Sequence, residues 1–281
     1  MLKDKNIYLI PCLGFLSVIL VGWIVLMLPT CNNGNVTPFD ALFTAVSATC
    51  VNGLTTVNLS TEYTFFGQVT IAIITEIGAI GFVTFISFIL SFKKKRMSLS
   101  ETLLLSSALN DNHYGKLKQR LKEVIKYTIV IQIIGAILLA VDFIPRFGIR
   151  NGIWYSIFHS ITAFCNAGFD IIGDTSLEIF AKNIYVNIVF IILMFLGSIG
   201  YFVIEDIIGC IKKKRFLHIN FHTKIVLTTS LIIYLISIIL LKIAEPNLTW
   251  LEAVFTSVTA RTTGFSTINM AGTLPITKLI I

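Results

Sequence analysis

Three stretches carry the residue types that could do chemistry here: SATCVNGL (47–54), HSITAFCNAGF (159–169) and SVTARTTGFSTI (257–268). Each ends a short apolar run with a few small or polar residues, then glycine, then a hydrophobe. Such a segment has no strong helix or strand period, so its main-chain carbonyls are free. Carbonyls turned toward a shared axis can replace the water around a cation. Glycine supplies the positive φ that lets successive carbonyls face one way. The chemistry predicted is therefore ion dehydration by backbone oxygens, centred on Thr49, Cys50, Val51, Asn52 and Gly53, on Phe164, Cys165, Asn166, Ala167 and Gly168, and on Ala260, Arg261, Thr262, Thr263 and Gly264.

Other chemistry finds no support in the pattern. There is no nucleophile–base or metal constellation near either membrane face. His113, His159, His218 and His222 lack metal-ligand spacing, and the five cysteines form no CxxC pair. Neither GxGxxG nor a Walker A sequence occurs, so no cofactor is expected and any nucleotide control belongs to a partner.

The elements that must hold the three stretches are apolar. Of the 281 residues, 55% are hydrophobic and 13% charged, and the mean hydropathy is +0.85. An average soluble domain is about 25% charged. The chain reads as an all-α integral membrane protein. Runs at 7–28, 66–92, 124–144, 184–211 and 222–243 are long enough for the roughly 20 apolar residues a span requires. The stretches at 38–48, 151–163 and 249–259 are too short and suit re-entrant helices entering and leaving on one side. The net charge of +7 does not point to nucleic acid, because the bases cluster beside apolar runs. Lys93–Arg96 and Lys212–Arg215, with Lys3 and Lys5, lie on one side, which the positive-inside bias makes cytoplasmic together with the N-terminus.

The unit helix, re-entrant helix, small-residue loop, helix recurs. EIGAIGF (76–82) and FLGSIGY (195–201) mark the second helices of the first two copies. The division expected is 1–92 for unit one, 93–123 for a basic cytoplasmic loop, 124–211 for unit two, 212–221 for a second basic loop and 222–281 for an incomplete unit three. A re-entrant helix coming from outside points the negative end of its dipole at mid-membrane, which favours a cation.

These motifs, ARTTGF above all and the paired GxIG[FY] sequences, resemble the Trk/Ktr/HKT superfamily of potassium transporters, and most of all the membrane subunit of bacterial Ktr systems. The resemblance covers nearly the whole chain. It implies four helix–pore helix–filter–helix units around one pore, a potassium-selecting glycine in each filter and multi-pass placement in the plasma membrane. It also implies K+ as substrate with Na+ dependence open, a cytosolic nucleotide-binding regulatory ring as partner, and a homodimer. Only two units and most of a third are found up to Ile281. The alternative is therefore an incomplete, non-conducting fragment that another chain completes.

Single residues leave choices open. Arg261, close to Gly264, needs an anionic partner behind the filter, with Glu252 and Glu76 as the candidates, or else it tunes ion affinity directly. Glu76 reads as a structural pairing or a proton-coupling group. Asn52 and Asn166 either hydrogen-bond behind their loops or line the outer mouth. The 93–123 loop lies on anionic lipid or meets the regulatory ring.

Overall fold

The computed structural model describes residues 5–81, 117–173, 175–212 and 219–280. The basic clusters at 93–96 and 213–215, and most of the loop between 93 and 123, lie outside these residues. Among the described residues the regular elements are helices, with one isolated bridge between Asn32 and Tyr63. The chain divides into two compact units, Met1–Ile133 and Ile134–Ile281.

In the first unit, α1 (Lys5–Leu26) packs against α2 (Pro38–Thr49) and α4 (Phe65–Ile80), with the single turn α3 (Leu59–Glu62) between them. Helix α2 starts where sequence chemistry says it should. Thr37 accepts from the Asp40 backbone N–H, Asp40 accepts from the Thr37 backbone N–H, and Pro38 takes the first helical position. This reciprocal capping box satisfies two of the helix's orphan donors. Buried Tyr63 ties the connection down by donating to Thr44 Oγ1 at 3.2 Å.

Helix α4 stops at Ile80, because Gly81 turns to φ 85° and ψ 134°. The span expected over 66–92 is thus described only to that break, and residues 82–92 lie outside the described part.

Helix α5 (Leu117–Phe164) begins in the first unit and ends in the second. It holds both the expected span at 124–144 and the short helix at 151–163, separated at Gly148, whose φ is 80° and ψ 166°. Pro145 precedes that break. The chain turns back tightly enough that a β-carbon on Gly152 would stand 2.6 Å from Ile144 Cα.

The expected single run over 184–211 is two helices. α6 (Ile184–Ser198) and α7 (Tyr201–Lys212) meet at an angle of 106°. The cause is Gly200, at φ 82°. The second glycine of GSIG therefore breaks the span rather than sitting inside it.

Helix α8 (Phe221–Ala244) is long enough, at about 1.5 Å per residue, to cross a hydrocarbon core of about 30 Å. It packs on α7, α9 (Trp250–Thr262) and α10 (Pro275–Ile280). Among the described residues, the second part of α5 from Lys122 onward and α8 are long and apolar enough to span, and the bent pair α6–α7 makes a third candidate. The core of the second unit is aromatic: Phe143, Phe158, Phe180, Phe190, Phe255 and Phe265 are all buried.

Candidate ion-conducting loops

The loop after α2 and the loop after α5 close by the same hydrogen bonds. Val51 N–H donates to Ala48 O at 3.2 Å and Asn52 N–H to Ser47 O at 2.8 Å. Asn166 N–H donates to Ala163 O at 3.1 Å and Ala167 N–H to Thr162 O at 2.8 Å. This paired pattern is a Schellman turn, which needs a left-handed residue just past the cap. Val51 (φ 56°) and Asn166 (φ 59°) fill that place. Two residues on, Gly53 (φ 76°) and Gly168 (φ 73°) turn left-handed again.

In the third loop the glycine comes two residues after the helix end rather than four. Thr263 and Gly264 both donate to Thr259 O, at 2.9 and 3.2 Å, and Gly264 itself takes the left-handed place at φ 94°.

These geometries correct the boundaries expected from sequence. Thr49, Phe164, Ala260, Arg261 and Thr262 are helical, because the short helices run on to Thr49, Phe164 and Thr262. Cys50 and Thr263 are their caps, Cys165 directly follows α5, and the non-helical backbone holds the glycines and the residues after them. Leu54, Phe169 and Phe265, the hydrophobes just past each glycine, belong to the loops as well, beyond the glycines at which the expected ion-holding residues ended.

Hydroxyls inside the short helices fasten two of those later residues. Thr162 Oγ1 donates to Phe169 O at 3.2 Å, and Thr259 Oγ1 donates to Phe265 O at 2.8 Å. Both threonines are buried, as is Ser47 at the same distance before Gly53 as Thr162 before Gly168. The recurrent Ser/Thr ahead of each glycine was visible as a signal in the sequence.

The first glycine of each GxIG motif serves close approach. A β-carbon on Gly78 would stand 2.3 Å from Thr49 O, and one on Gly197 would stand 1.8 Å from Phe164 O. In both places the second helix lies against the last carbonyl of the short helix, which no side chain would permit.

Asn166 is held by hydrogen bonds to neighbouring elements. Its amide reaches Thr263 Oγ1 at 2.9 Å, Met194 O at 3.1 Å and Ser198 N–H at 3.2 Å. All are satisfied when the nitrogen faces Thr263 and Met194 and the oxygen faces Ser198. Asn52 is exposed and stands one place later in its turn. The second and third loops touch directly, for a β-carbon on Gly168 would stand 2.0 Å from Thr263 O.

The acidic residues have local partners. Glu252 accepts from Thr249 N–H and Oγ1, both at 2.8 Å, in a capping box at the start of α9. Arg261 stands in the last turn of the same helix, roughly 13 Å further along the axis. The expected Arg261–Glu252 pair is therefore not formed. The guanidinium of Arg261 lies instead over the Tyr234 ring, 4.8 Å from its centroid. Glu76 accepts from Gln132 Nε2 at 2.7 Å. Asp40 accepts from the hydroxyls of Thr37 and of Thr56, just past Gly53, and these donors hold its carboxyl below the usual range.

Sequence spacing gave no weight to the pair His159 and Asp170. His159 is fully buried, with Nδ1 2.7 Å from Tyr155 O and Nε2 2.6 Å from Asp170 Oδ1. No group of three or more metal-ligating side chains occurs among the described residues.

Residues 16–281 match the TrkH family, described as a cation transport protein. The chain belongs to that family. Potassium/sodium uptake protein NtpJ of Enterococcus hirae is 39% identical over 268 residues, covering 91% of this chain and 58% of that protein. Ktr system potassium uptake protein B of Bacillus subtilis is 34% identical over 284 residues, covering 96% of this chain and 63% of that one. Among solved structures, the potassium transporter TrkH of Vibrio parahaemolyticus superposes with a TM-score of 0.70 at 17% identity, over all of this chain and 56% of that one. This likeness shows the fold. The chain thus spans about six-tenths of the length of the curated relatives it matches. Membership of the TrkH family, with its apolar helices, makes this a membrane protein of a transporter family and sets the enzyme reading aside.

Proposed function

We propose that this chain takes part in potassium uptake, and that the loops at Gly53, Gly168 and Gly264 contribute the main-chain oxygens that hold the dehydrated ion. The observation that carries this reading is the shared local geometry: each short helix runs into a loop with a positive-φ glycine, preceded in the first two loops by left-handed Val51 or Asn166. Names of relatives agree with the substrate, since the Enterococcus hirae protein is called a potassium/sodium uptake protein and the Bacillus subtilis protein a Ktr system potassium uptake protein. The first of these names includes sodium as well.

The finer architecture belongs to the same proposal. Units of helix, re-entrant helix, loop and helix occupy 1–92, 124–211 and 222–281, with the N-terminus and both KKKR loops in the cytoplasm. The re-entrant helices end at mid-membrane, where their carbonyl ends favour a cation. A cytosolic nucleotide-binding ring and a second copy of the membrane subunit are the expected partners, following the resemblance to Ktr systems.

The test is complementation. Cells lacking potassium uptake receive the complete coding region, intact or with Gly53, Gly168 or Gly264 replaced by serine. Growth at low potassium with the intact protein, and altered K+ over Na+ uptake in the variants, supports the reading. Unaltered selectivity in all three variants would remove it.

A further inference from the structure

The side chain of His159 is fully buried. Its ring is packed by Phe143, Phe158, Phe190, Tyr155 and Phe265, at centroid distances from 5.7 to 6.5 Å. None of these groups carries a charge at neutral pH. Both ring nitrogens nevertheless face oxygen. Tyr155 O is a carbonyl and only accepts, so Nδ1 must carry a proton. Nε2, 2.6 Å from Asp170 Oδ1, cannot then present a lone pair to an ionised carboxylate. Either Nε2 is protonated and donates, or the carboxyl is protonated and donates to Nε2. In both cases one proton lies between the two residues and the pair is neutral as a whole, the condition for burying it.

The pair sits at a mechanically useful place. Asp170 comes two residues after Gly168, and the same Oδ1 also accepts from Ile172 N–H at 2.9 Å. The carboxyl thus fixes the returning limb of the second loop to the middle of its own short helix. On its other face the imidazole stacks on Phe265, the residue after Gly264, with an interplanar angle of 29°. Phe265 O is held in turn by Thr259. One ring therefore touches the limbs that leave both glycines. Among the described residues Asp170 Oδ2 is buried without a hydrogen-bond partner, so the His159 and Ile172 contacts to Oδ1 carry the hold on this side chain.

We propose that His159 and Asp170 are positioning residues, a one-proton clamp that keeps the second and third glycine loops in register and thereby sets K+ over Na+ discrimination. The proposal rests on the reading that these loops carry the ion. Potassium and sodium differ in radius by a few tenths of an ångström, so a loop free to relax by that much loses selectivity before it loses conduction.

The experiment uses the protein expressed from its complete coding region, purified and placed in liposomes, with K+ and Na+ flux measured side by side. His159→Gln, Asp170→Asn and the double variant are compared at equal reconstituted protein, with Gly168→Ala as the reference for the loops themselves. The flux ratio does not depend on the amount folded, so loss of stability alone leaves it unchanged. Each single variant is expected to lower the ratio about tenfold, the scale of one buried charge-assisted hydrogen bond, and the double variant no further. An unchanged ratio in folded His159→Gln and Asp170→Asn, or losses that simply add, would overturn the clamp. If Gly168→Ala also leaves the ratio intact, the loop reading itself falls; if Gly168→Ala alone lowers it, only the clamp does.

Discussion

The carbonyl oxygen of Thr263 stands against Gly168, 2.0 Å from where a β-carbon would be built. Gly168 is also left-handed, at φ 73°. Two independent causes therefore exclude a side chain, one steric and one torsional. Gly168→Ala is expected to lower thermal stability by more than about 1 kcal/mol, because backbone rather than a movable side chain fills the space. A melting curve in detergent measures this, and a melting temperature equal to the parent's would show that the two loops can separate cheaply.

Gly78 and Gly197 make a matched pair of predictions. Each lies under the last carbonyl of a short helix, Thr49 O in one case and Phe164 O in the other. Gly78→Ala and Gly197→Ala should both destabilise, whereas an alanine at Gly209, with nothing within 4 Å, should not. Equal melting temperatures for all three would contradict the close approach.

How far the sequence spoke for itself can be judged from these loops. Helical runs, the short helices and the three glycines were legible, because apolar length and recurrence are properties of the chain alone. The ends of the short helices were not, since Thr49, Phe164 and Thr262 continue a helix that composition gives no reason to extend. The capping boxes of Thr37–Asp40 and Thr249–Glu252 went unread, and the charge of Glu252 drew it toward Arg261 instead. Gly81 and Gly200 read as part of spans, because a break depends on φ and not on hydrophobicity. His159 was weighed only as a metal ligand; its partner Asp170 is fixed by the loop's return, which spacing does not encode.

Val51 is the strained member of the first turn. A β-branched residue at φ 56° is an outlier, and Asn166 occupies the matching place in the second loop with a residue type that tolerates it. Val51→Asn should therefore raise stability by about 1 kcal/mol. Flux measured on the same sample shows whether that strain serves transport: a stabler protein with unchanged K+ uptake means that it does not. A drop in melting temperature would mean that the valine side chain's packing outweighs its torsional cost.

Cys50 and Cys165 follow the last residue of their short helices, but Cys50 is exposed and Cys165 is buried. With exposed Cys12 replaced by serine, a membrane-impermeant thiol reagent added outside should label Cys50 quickly and Cys165 slowly. If the first loop lies on the ion's path, labelling should also reduce uptake, and Cys50→Ser should be protected. Labelling of Cys50 with full uptake retained would place the first loop off that path.

Arg261 and Tyr234 give the last test, because the guanidinium rests on the ring rather than on a carboxylate. A cation on an aromatic face at a partly exposed site is worth about 0.5–1 kcal/mol. Arg261→Gln and Tyr234→Leu should each cost about that much, and the double variant little more, since either change removes the same contact. Arg261→Lys should recover part of the loss, as an ammonium is also drawn to the ring. Glu252→Gln disturbs only the capping box at the far end of α9, so its cost should add to that of Arg261→Gln. Strong coupling between Glu252 and Arg261 in such a cycle would restore the ion pair that the charges alone had implied.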